Sequence, residues 1–205
     1  MNALVVVGAD GLARCTWGAS NETYVEYHDT EWGRAVLGEQ AVYERMCLEG
    51  FQAGLSWITI LRKRNNFRAA FADFDPTNVA KFGEDDVARL LNDAGIVRHR
   101  GKIEATINNA RALLALNDVG ESLSDIVWGY HNPALAPPHL GPQTLADVPA
   151  KTADSIELSK RLLKLGFRFL GPTTMYAAMQ AMGIVNDHVE GCHVRHLCTG
   201  PTTTA

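Results

Sequence analysis

The stretch that decides the fold is LLNDAGIVRHRGKI, residues 90–103, in which a short turn separates two helical patterns. Leu90 completes the apolar face of a short helix, and Gly95 ends that helix. After the turn, Ile103 and Ile107 begin a longer amphipathic helix, because apolar residues four apart share one helix face. The sequence therefore predicts a helix, a hairpin turn and a second helix.

Basic residues follow this turn directly. Arg98, Arg100 and Lys102 lie where the second helix begins. The first N–H groups of a helix lack intrahelical partners and carry the positive end of its dipole, so such a helix start can accept a phosphate. An ordinary helix–helix turn with a solvated basic rim explains the same residues. This segment alone leaves both interpretations open.

Helical periodicity runs through the rest of the chain, and no segment shows a convincing alternation of polar and apolar residues. The two helices on either side of the turn cover 84–95 and 101–114. Further helices are predicted from about residue 42 towards 49 and over 55–71, 124–130, 152–165 and 172–183. Residues 132–149 hold five prolines, too many for regular structure, and are expected to form a linker. The predicted fold class is all-α.

The composition is that of an ordinary globular protein, with 205 residues, 46% of them hydrophobic. No apolar run approaches the roughly 20 residues that a membrane helix needs, and residues 1–7 lack the basic flank of a secretory signal. Four unevenly spaced cysteines favour a reduced, cytoplasmic protein. We expect no membrane partner, and a monomer.

The formal net charge of −4 argues mildly against a polyanion partner, but binding depends on how charge is distributed. The basic residues gather in three groups, each of which is also compatible with a solvated helix face. The groups are Arg62, Lys63, Arg64 and Arg68; then Arg98, His99, Arg100 and Lys102; and finally Lys160, Arg161, Lys164 and Arg168.

Two pairs of metal-binding residue types lie at opposite ends of the chain. Cys15 and His28 stand near the start, and His188 and Cys192 near the end. Two thiolates and two imidazoles make a complete tetrahedral shell for Zn²⁺, and a spacing of four would put the second pair on one face of a helix. Spacing alone does not distinguish one metal site from two unrelated pairs. Three nearby residues remain open as alternative ligands: His193, His196 and Cys198.

The segment CLEGFQAGLSW, residues 47–57, places a carboxylate on an apolar, glycine-containing stretch. Gly50 and Gly54 interrupt two otherwise good helical patterns, at about 1 kcal/mol each relative to alanine. Glu49 with Trp57 offers an acceptor and a flat wall, as a pocket for an aromatic, hydrogen-bond-donating ligand needs. Other aromatic residues cluster around His28, each of them singly a core candidate: Trp17, Tyr24, Tyr27 and Trp32.

Five motifs together resemble the 3-methyladenine-DNA glycosylase I family: RCTW (14–17), YHDTEWG (27–33), CLEGFQAGLSW (47–57), AGIVRHRGKI (94–103) and NDHVEGC (186–192). They occur in the right order from Arg14 to Cys192, so the resemblance covers most of the chain. It implies a helix-hairpin-helix base-excision enzyme that hydrolyses the N-glycosidic bond of 3-methyladenine in alkylation-damaged double-stranded DNA.

The resemblance also implies a domain organisation and a metal. A single glycosylase domain over 14–196 would contain a helix-hairpin-helix lobe, 39–131, and a second lobe made of 14–38 with 150–196. Residues 1–13 and 197–205 would be tails. The ligands of one structural Zn²⁺ would join the two ends of the chain: Cys15, His28, His188 and Cys192.

Base recognition is assigned by the same resemblance. Glu49 would be the catalytic residue that hydrogen-bonds the alkylated adenine, Trp57 and Tyr27 would line or stack on it, and Trp17 would close over it. The residues expected to contact DNA are Gly54 and Leu55, which would fill the space left by the flipped nucleotide, and Gly95, Arg98, Arg100 and Lys102, which would hold phosphates. Because Lys102 lies in the hairpin, we expect base release without strand cleavage.

Two other functions compete with this interpretation. A zinc-dependent hydrolase needs an open metal position, which four protein ligands would not leave. A noncatalytic DNA-binding protein would keep the hairpin but has no need for Glu49 beside Trp57. One departure from the family is visible, since Phe51 stands where some members have glutamine, which puts a polar contact to DNA from this position in doubt.

Overall fold

The computed structural model describes residues 4–132, 141–143 and 147–201, and this part of the chain is mostly helical. Nine α-helices are found in it: α1 Glu22–Thr30, α2 Glu39–Gln52, α3 Trp57–Ala70, α4 Pro76–Val79, α5 Glu84–Asn92, α6 Arg100–Asp118, α7 Leu123–Trp128, α8 Ala153–Lys164 and α9 Pro172–Ala181. Short 3₁₀ turns cover Ala72–Phe74 and Arg195–Leu197. Most of the predicted linker, residues 133–140 and 144–146, lies outside the described residues.

Two short strands lie near the N-terminus, where the sequence predicted a tail. They also correct the expectation that the chain has no strands. β1, Val5–Val7, pairs antiparallel with β2, Ala13–Cys15, and Val5 lies opposite Cys15. The connection turns at Gly11, whose φ of 77° suits glycine. Strands of three residues are too short to show an alternating pattern in the sequence, which is why helical periodicity alone missed them.

The main core forms where α2, α6 and α9 meet. Ile103 and Ile107 of α6 are buried, which confirms that their spacing marks a core face. Met179 of α9 is fully buried as well. Phe51 of α2 is also buried, and its ring centroid lies 4.6 Å from that of Phe67. Its side chain therefore belongs to the core and does not face outward, where a polar contact to DNA would be made.

The predicted hairpin is the connection between α5 and α6. α5 begins with the acidic residues Glu84, Asp85 and Asp86, which suit the positive end of its dipole. The turn is fixed to α3, because Lys63 Nζ donates to the Ala94 carbonyl over 2.7 Å. His99 caps α6, its Nδ1 accepting from the backbone N–H of Lys102 over 3.2 Å. The turn therefore has a defined conformation that holds the start of α6 at the surface.

The chain after α9 returns to its own N-terminal segment. The backbone N–H of His193 donates to the carbonyl of Ala13 over 2.8 Å, and Arg34 Nη1 donates to the carbonyl of Leu197 over 3.0 Å. These contacts bring the N-terminal and C-terminal segments of the described chain together. In this part of the chain, none of the helices has the length and apolar character required to span a bilayer.

Candidate active site and metal centre

A cavity of about 370 Å³ lies between the N-terminal segment, α2, the start of α3 and α9. This volume is typical of a site for a small organic ligand. Its walls are mostly aromatic with a few polar groups, and they are formed by Trp17, Tyr24, Tyr27, Trp32, Glu49, Gln52, Ser56, Trp57, Ala177 and Gln180. The structure thus brings the predicted base-contacting residues together from three separate motifs.

Glu49 is the only carboxylate among these wall residues. It is 4% exposed, and no residue of the described chain donates a hydrogen bond to it. Burial raises the pKa of Glu49 to about 7, and the nearby charge of Arg45 partly opposes this shift. A buried carboxylate without a donor is costly in a folded protein. This acceptor is therefore available to a ligand that brings its own donor.

Aromatic rings form the walls beside this carboxylate. The Tyr27 and Trp57 ring centroids lie 5.6 Å apart, and Trp17 packs against Tyr27 at 6.4 Å. Trp17 is 37% exposed and stands at the rim, whereas Tyr27 is buried. The indole Nε1 of Trp57 is buried, and no acceptor lies within hydrogen-bond distance of it. The cavity therefore offers flat faces and an unused acceptor.

Arg45, which sequence analysis missed, lies behind two of these walls. Its guanidinium carbon is 5.6 Å from the Tyr27 ring centroid and 5.8 Å from that of Trp57. Its Nη1 donates to the Tyr27 hydroxyl over 2.9 Å. In the sequence it is one charged residue within a helical segment, with no motif around it. Only the fold reveals its position.

The four predicted ligands meet at one buried point. Cys192 Sγ lies 3.4 Å from His28 Nε2 and 3.5 Å from His188 Nδ1, and Cys15 Sγ lies 3.7 Å from His188 Nδ1. With zinc bonds of about 2.3 Å to sulfur and about 2.0 Å to nitrogen, tetrahedral geometry separates sulfur and nitrogen by about 3.5 Å. The observed distances fit such an ion, so the cluster can bind a metal.

Hydrogen bonds outside the cluster set the tautomers of both imidazoles. Nδ1 of His28 donates to Asp29 over 2.7 Å, which leaves Nε2 free to bind a metal. Nε2 of His188 donates to the carbonyl of Trp32 over 3.0 Å, which leaves Nδ1 free. Partners of this kind orient metal-binding histidines. Hydrogen bonding from Cys15, and then from the two imidazoles, lowers the pKa of Cys192 and favours a thiolate.

The surroundings of the cluster bear on two questions that spacing left open. His193 contacts Asp29 through Nε2 at 3.0 Å, and with His28 and Asp29 it forms a second group of possible metal ligands. His196 is exposed. Cys198 is buried but directs its sulfur to the carbonyl of Val194. Residues 188–192 form a turn and not the helix that their spacing allowed. The four ligand residues are at most 6% exposed, so the cluster leaves no open face for an activated water.

Aromatic contacts join the metal cluster to the cavity. The Trp32 ring centroid lies 4.6 Å from that of His188, and the Trp17 centroid lies 5.3 Å from that of His28. Trp17 and Trp32 also pack edge to face at 4.9 Å. Gly18 fits because a Cβ at this position would lie 2.4 Å from an atom of the His28 ring. The cluster therefore fixes one wall of the cavity.

The turn between α2 and α3 borders the opening of the cavity. Gly54 has a φ of 84°, which glycine adopts readily. Leu55 follows it and is 42% exposed, although large apolar side chains are usually buried. The two residues that were expected to face DNA therefore lie on the surface, at the end of the helix that carries Glu49.

The basic residues after the hairpin differ from one another in their surroundings. Arg98 is exposed, with no hydrogen bond or ion pair to the described residues. Arg100 is exposed but pairs with Glu104 at 3.0 Å and with Glu84 at 3.2 Å. Lys102 is 8% exposed and turns inward. The hairpin therefore presents fewer free cations than the sequence suggested.

The position of Lys102 corrects the expectation that its side chain holds a phosphate. Its Nζ donates to the carbonyl of Ala53 over 2.6 Å and to that of Phe51 over 2.9 Å. These carbonyls lie at the C-terminal end of α2, where the dipole is negative and the last carbonyls lack helical partners. Lys102 therefore ties the hairpin to the turn that carries Gly54.

Comparison with known proteins gives a consistent result. A family model described as methyladenine glycosylase matches residues 17–196. DNA-3-methyladenine glycosylase 1 of Escherichia coli (strain K12) is 50% identical over 183 residues, which are 88% of this chain and 96% of that protein.

Solved structures are similar as well. A crystal structure of 3-methyladenine DNA glycosylase I superposes with a TM-score of 0.82 at 48% identity, over 88% of this chain and 98% of that one. A structure from Staphylococcus aureus, concerned with 3-methyladenine recognition by the same type of enzyme, has a TM-score of 0.82 at 35% identity, over 89% of this chain and 96% of that one.

Proposed function

Because the chain belongs to the methyladenine glycosylase family, we infer that it releases 3-methyladenine from alkylated DNA by hydrolysing the N-glycosidic bond. It is a DNA-repair glycosylase, a hydrolase that acts on N-glycosyl bonds. One observation carries the proposal for the site, namely the buried carboxylate of Glu49, which faces an aromatic cavity without a donor of its own.

Glu49 reads the base by charge and by hydrogen bonding. Methylation at N3 makes the adenine cationic while it is attached to the sugar, and an anionic acceptor favours that form over neutral adenine. The carboxylate accepts a hydrogen bond from the exocyclic amino group. The rings of Tyr27 and Trp57 contact the flat face of the base, and stacking contributes on the order of 1–3 kcal/mol.

The leaving group determines what else the enzyme must do. A base that is cationic when bonded departs as a neutral molecule, so no strong general acid is needed. The protein has to extract the nucleotide, hold the base and admit water to the sugar carbon. Flipping costs a few kcal/mol and is easiest for a damaged, weakly paired base, which adds selectivity. Gly54 and Leu55, on the exposed turn, fill the space that the nucleotide leaves.

The reaction ends with base release and does not cleave the strand. A strand-cleaving glycosylase needs an amine that forms a Schiff base with the sugar. Lys102 is the lysine of the hairpin segment itself, and two carbonyls accept hydrogen bonds from its Nζ. It is not among the residues that line the cavity. This inward orientation supports a monofunctional enzyme.

The hairpin between α5 and α6 serves as a helix-hairpin-helix contact to the DNA backbone. α6 is 19 residues long, so its N-terminus carries a full dipole for a phosphate. Gly95 allows the tight turn, and Arg98 and Arg100 add positive charge. The cavity lies between two lobes, 39–131 on one side and 14–38 with 150–196 on the other.

The four-residue cluster holds one structural Zn²⁺. Two thiolates and two imidazoles are the ligands that Zn²⁺ prefers in closed sites, and the second shell fixes both tautomers. When bound, the ion supplies a cross-link between distant parts of the chain. The residues of the cluster hold Trp17 and Trp32 in place and take no part in breaking the glycosidic bond.

Base release from methylated duplex DNA tests this function, with the released bases identified by chromatography. We expect Glu49→Gln to slow release of 3-methyladenine by about 10- to 100-fold, as loss of a charge-assisted hydrogen bond predicts. Glu44→Gln on the same helix, whose carboxylate pairs with Arg68, should remain close to wild type. DNA binding without base release by the wild type would favour the noncatalytic alternative and rule out the enzyme.

A further inference from the structure

Arg45 is a buried cation behind the wall of the base pocket, and the chemistry described above does not use it. It is 9% exposed and lies on α2, four residues before Glu49. Its position is fixed from two sides, by the rings of Tyr27 and Trp57 and by the carboxylate of Glu31, 3.8 Å from its Nη2. Arg64 of α3 pairs with the same carboxylate, its Nη2 lying 2.8 Å from Oε1.

The hydrogen bond between Arg45 and Tyr27 has a defined direction. A guanidinium can only donate, so the Tyr27 hydroxyl oxygen accepts this bond over 2.9 Å. The hydroxyl hydrogen must then point elsewhere, and no described residue accepts it. Tyr27 lines the cavity. Because Tyr27 and Glu49 line the same cavity, a bound base is the candidate acceptor for this hydrogen.

The charge of Arg45 acts on Glu49 as well. Residues four apart on a helix are neighbours, and Arg45 opposes the effect of burial on the pKa of this carboxyl. The other charged groups near the pocket face it from different elements. Glu31 follows α1 and Arg64 lies on α3, and they are bound to each other. Arg45 is thus the cation with the most direct influence on Glu49.

We propose that Arg45 is a positioning residue of the base pocket, which orients the Tyr27 hydroxyl as a donor into the cavity and favours the ionised form of Glu49. The proposal rests on the function assigned above, in which Glu49 accepts a hydrogen bond from the base. Arg45 itself does not touch the base, because the Tyr27 and Trp57 rings lie in between.

The titration of Glu49 tests the charge effect without any ligand. In protein labelled with ¹³C-glutamate, the Glu49 carboxyl signal is identified by its loss in Glu49→Gln. We expect Arg45→Met, which keeps an apolar stem, to move the midpoint upward by about one pH unit, as loss of a nearby opposite charge predicts. Arg45→Lys should restore it. Arg68→Met, which removes an arginine paired with Glu44 on the adjacent helix, is the matched control and should leave it unchanged.

Binding of free 3-methyladenine tests the effect on Tyr27. Calorimetry from about pH 5 to about pH 9, corrected for the base's own protonation, should show about fivefold weaker binding by Arg45→Met near pH 7, because less Glu49 is ionised. A smaller loss should persist at high pH, where Glu49 is ionised in both proteins. When Tyr27→Phe is already present, Arg45→Met should cause no such loss of affinity at high pH. This is the result that a double-mutant cycle gives for two groups that act through each other.

Arg45→Gln separates the two effects and also serves if the Met variant does not fold. Its amide can still donate to Tyr27 but carries no charge, so the Glu49 midpoint should move while the coupling to Tyr27 remains. An unchanged Glu49 midpoint in both variants, or an equal loss of affinity with and without the Tyr27 hydroxyl, would overturn the proposal. These results do not depend on base release, so failure of the wild type to release 3-methyladenine from DNA would count against the proposed function alone.

Discussion

Glu49 lies where the demands of folding and of ligand recognition oppose each other. An isolated carboxylate in a protein interior is disfavoured unless it is protonated or paired. Here burial raises the pKa of Glu49 from an ordinary value of 4.5 to about 7. A ligand that brings a positive charge and a donor relieves the same cost, so binding energy and folding energy are linked at this side chain.

This linkage predicts how stability changes with pH. A carboxyl whose pKa is raised on folding stabilises the fold while it is protonated; that stability is complete below about pH 4.5 and is lost as the pH rises through about 7. Glu49→Gln does not titrate. We therefore expect it to match wild type near pH 4.5 and to exceed it at pH 8 by on the order of 3 kcal/mol.

Urea denaturation at the two pH values measures this difference directly. Glu44→Gln, on the same helix but paired with Arg68, should not show a comparable increase between the two pH values. An equal gap between Glu49→Gln and wild type at pH 4.5 and at pH 8 would contradict the assignment of the shift to Glu49.

The sequence predicted most, but not all, of the site at the scale of single residues. Glu49 and Trp57 stood out because they share one unusual segment, and both lie in the cavity. Arg45 gave no signal, because its role depends on rings contributed by two other elements. The orientation of Lys102 was equally hidden, since a lysine at a helix start looks the same whether it faces solvent or the carbonyls of another helix.

The hairpin is the element whose prediction was most direct. Its helices are long enough for periodicity to show, and the start of α6 coincides with the predicted one within a residue. What periodicity does not report is pairing between side chains. Arg100 is engaged by Glu84 and Glu104, whereas Arg98 is free of described partners, so the two arginines are not equivalent towards DNA.

This difference predicts unequal effects on DNA binding. Arg98→Ala should weaken binding to a duplex and reduce the slope of log affinity against log salt by about one, as loss of one phosphate contact requires. Arg100→Ala should have a smaller effect, because Glu84 and Glu104 already satisfy this guanidinium. Fluorescence anisotropy at several salt concentrations measures both. A larger loss for Arg100→Ala would show that DNA displaces its ion pairs.

At the scale of the whole molecule, the main feature is the contact between the N-terminal and C-terminal segments. The short strands β1 and β2 and the turn after α9 pack together around Cys15, Val189, Cys192 and Val194. This small apolar cluster is separate from the main core. Motifs far apart in the sequence predicted that the ends would meet, but the strands were too short to be recognised.

Removal of the metal should therefore affect more than the cluster itself. We expect Cys192→Ser to lose bound zinc and to be destabilised by on the order of 4 kcal/mol or more, because loss of a structural metal is among the most damaging changes. Cys198→Ser changes a buried thiol outside the ligand set and should retain one zinc per chain. Metal analysis and thermal unfolding measure both effects. Equal zinc content in the two variants would contradict the ligand assignment.

The joining of residues 15 and 28 to residues 188 and 192 also sets an order of events during synthesis. Translation delivers the N-terminal segment first, and domains begin to fold as they emerge. The α2 helix and Glu49 emerge early, but α9, which packs against α2, emerges much later. Trp17 and Trp32 likewise lack their support until His188 and Cys192 have left the ribosome. A nascent chain thus holds the carboxylate before Trp17 and Trp32 are fixed in place, and the complete cavity forms only after Cys192 has emerged.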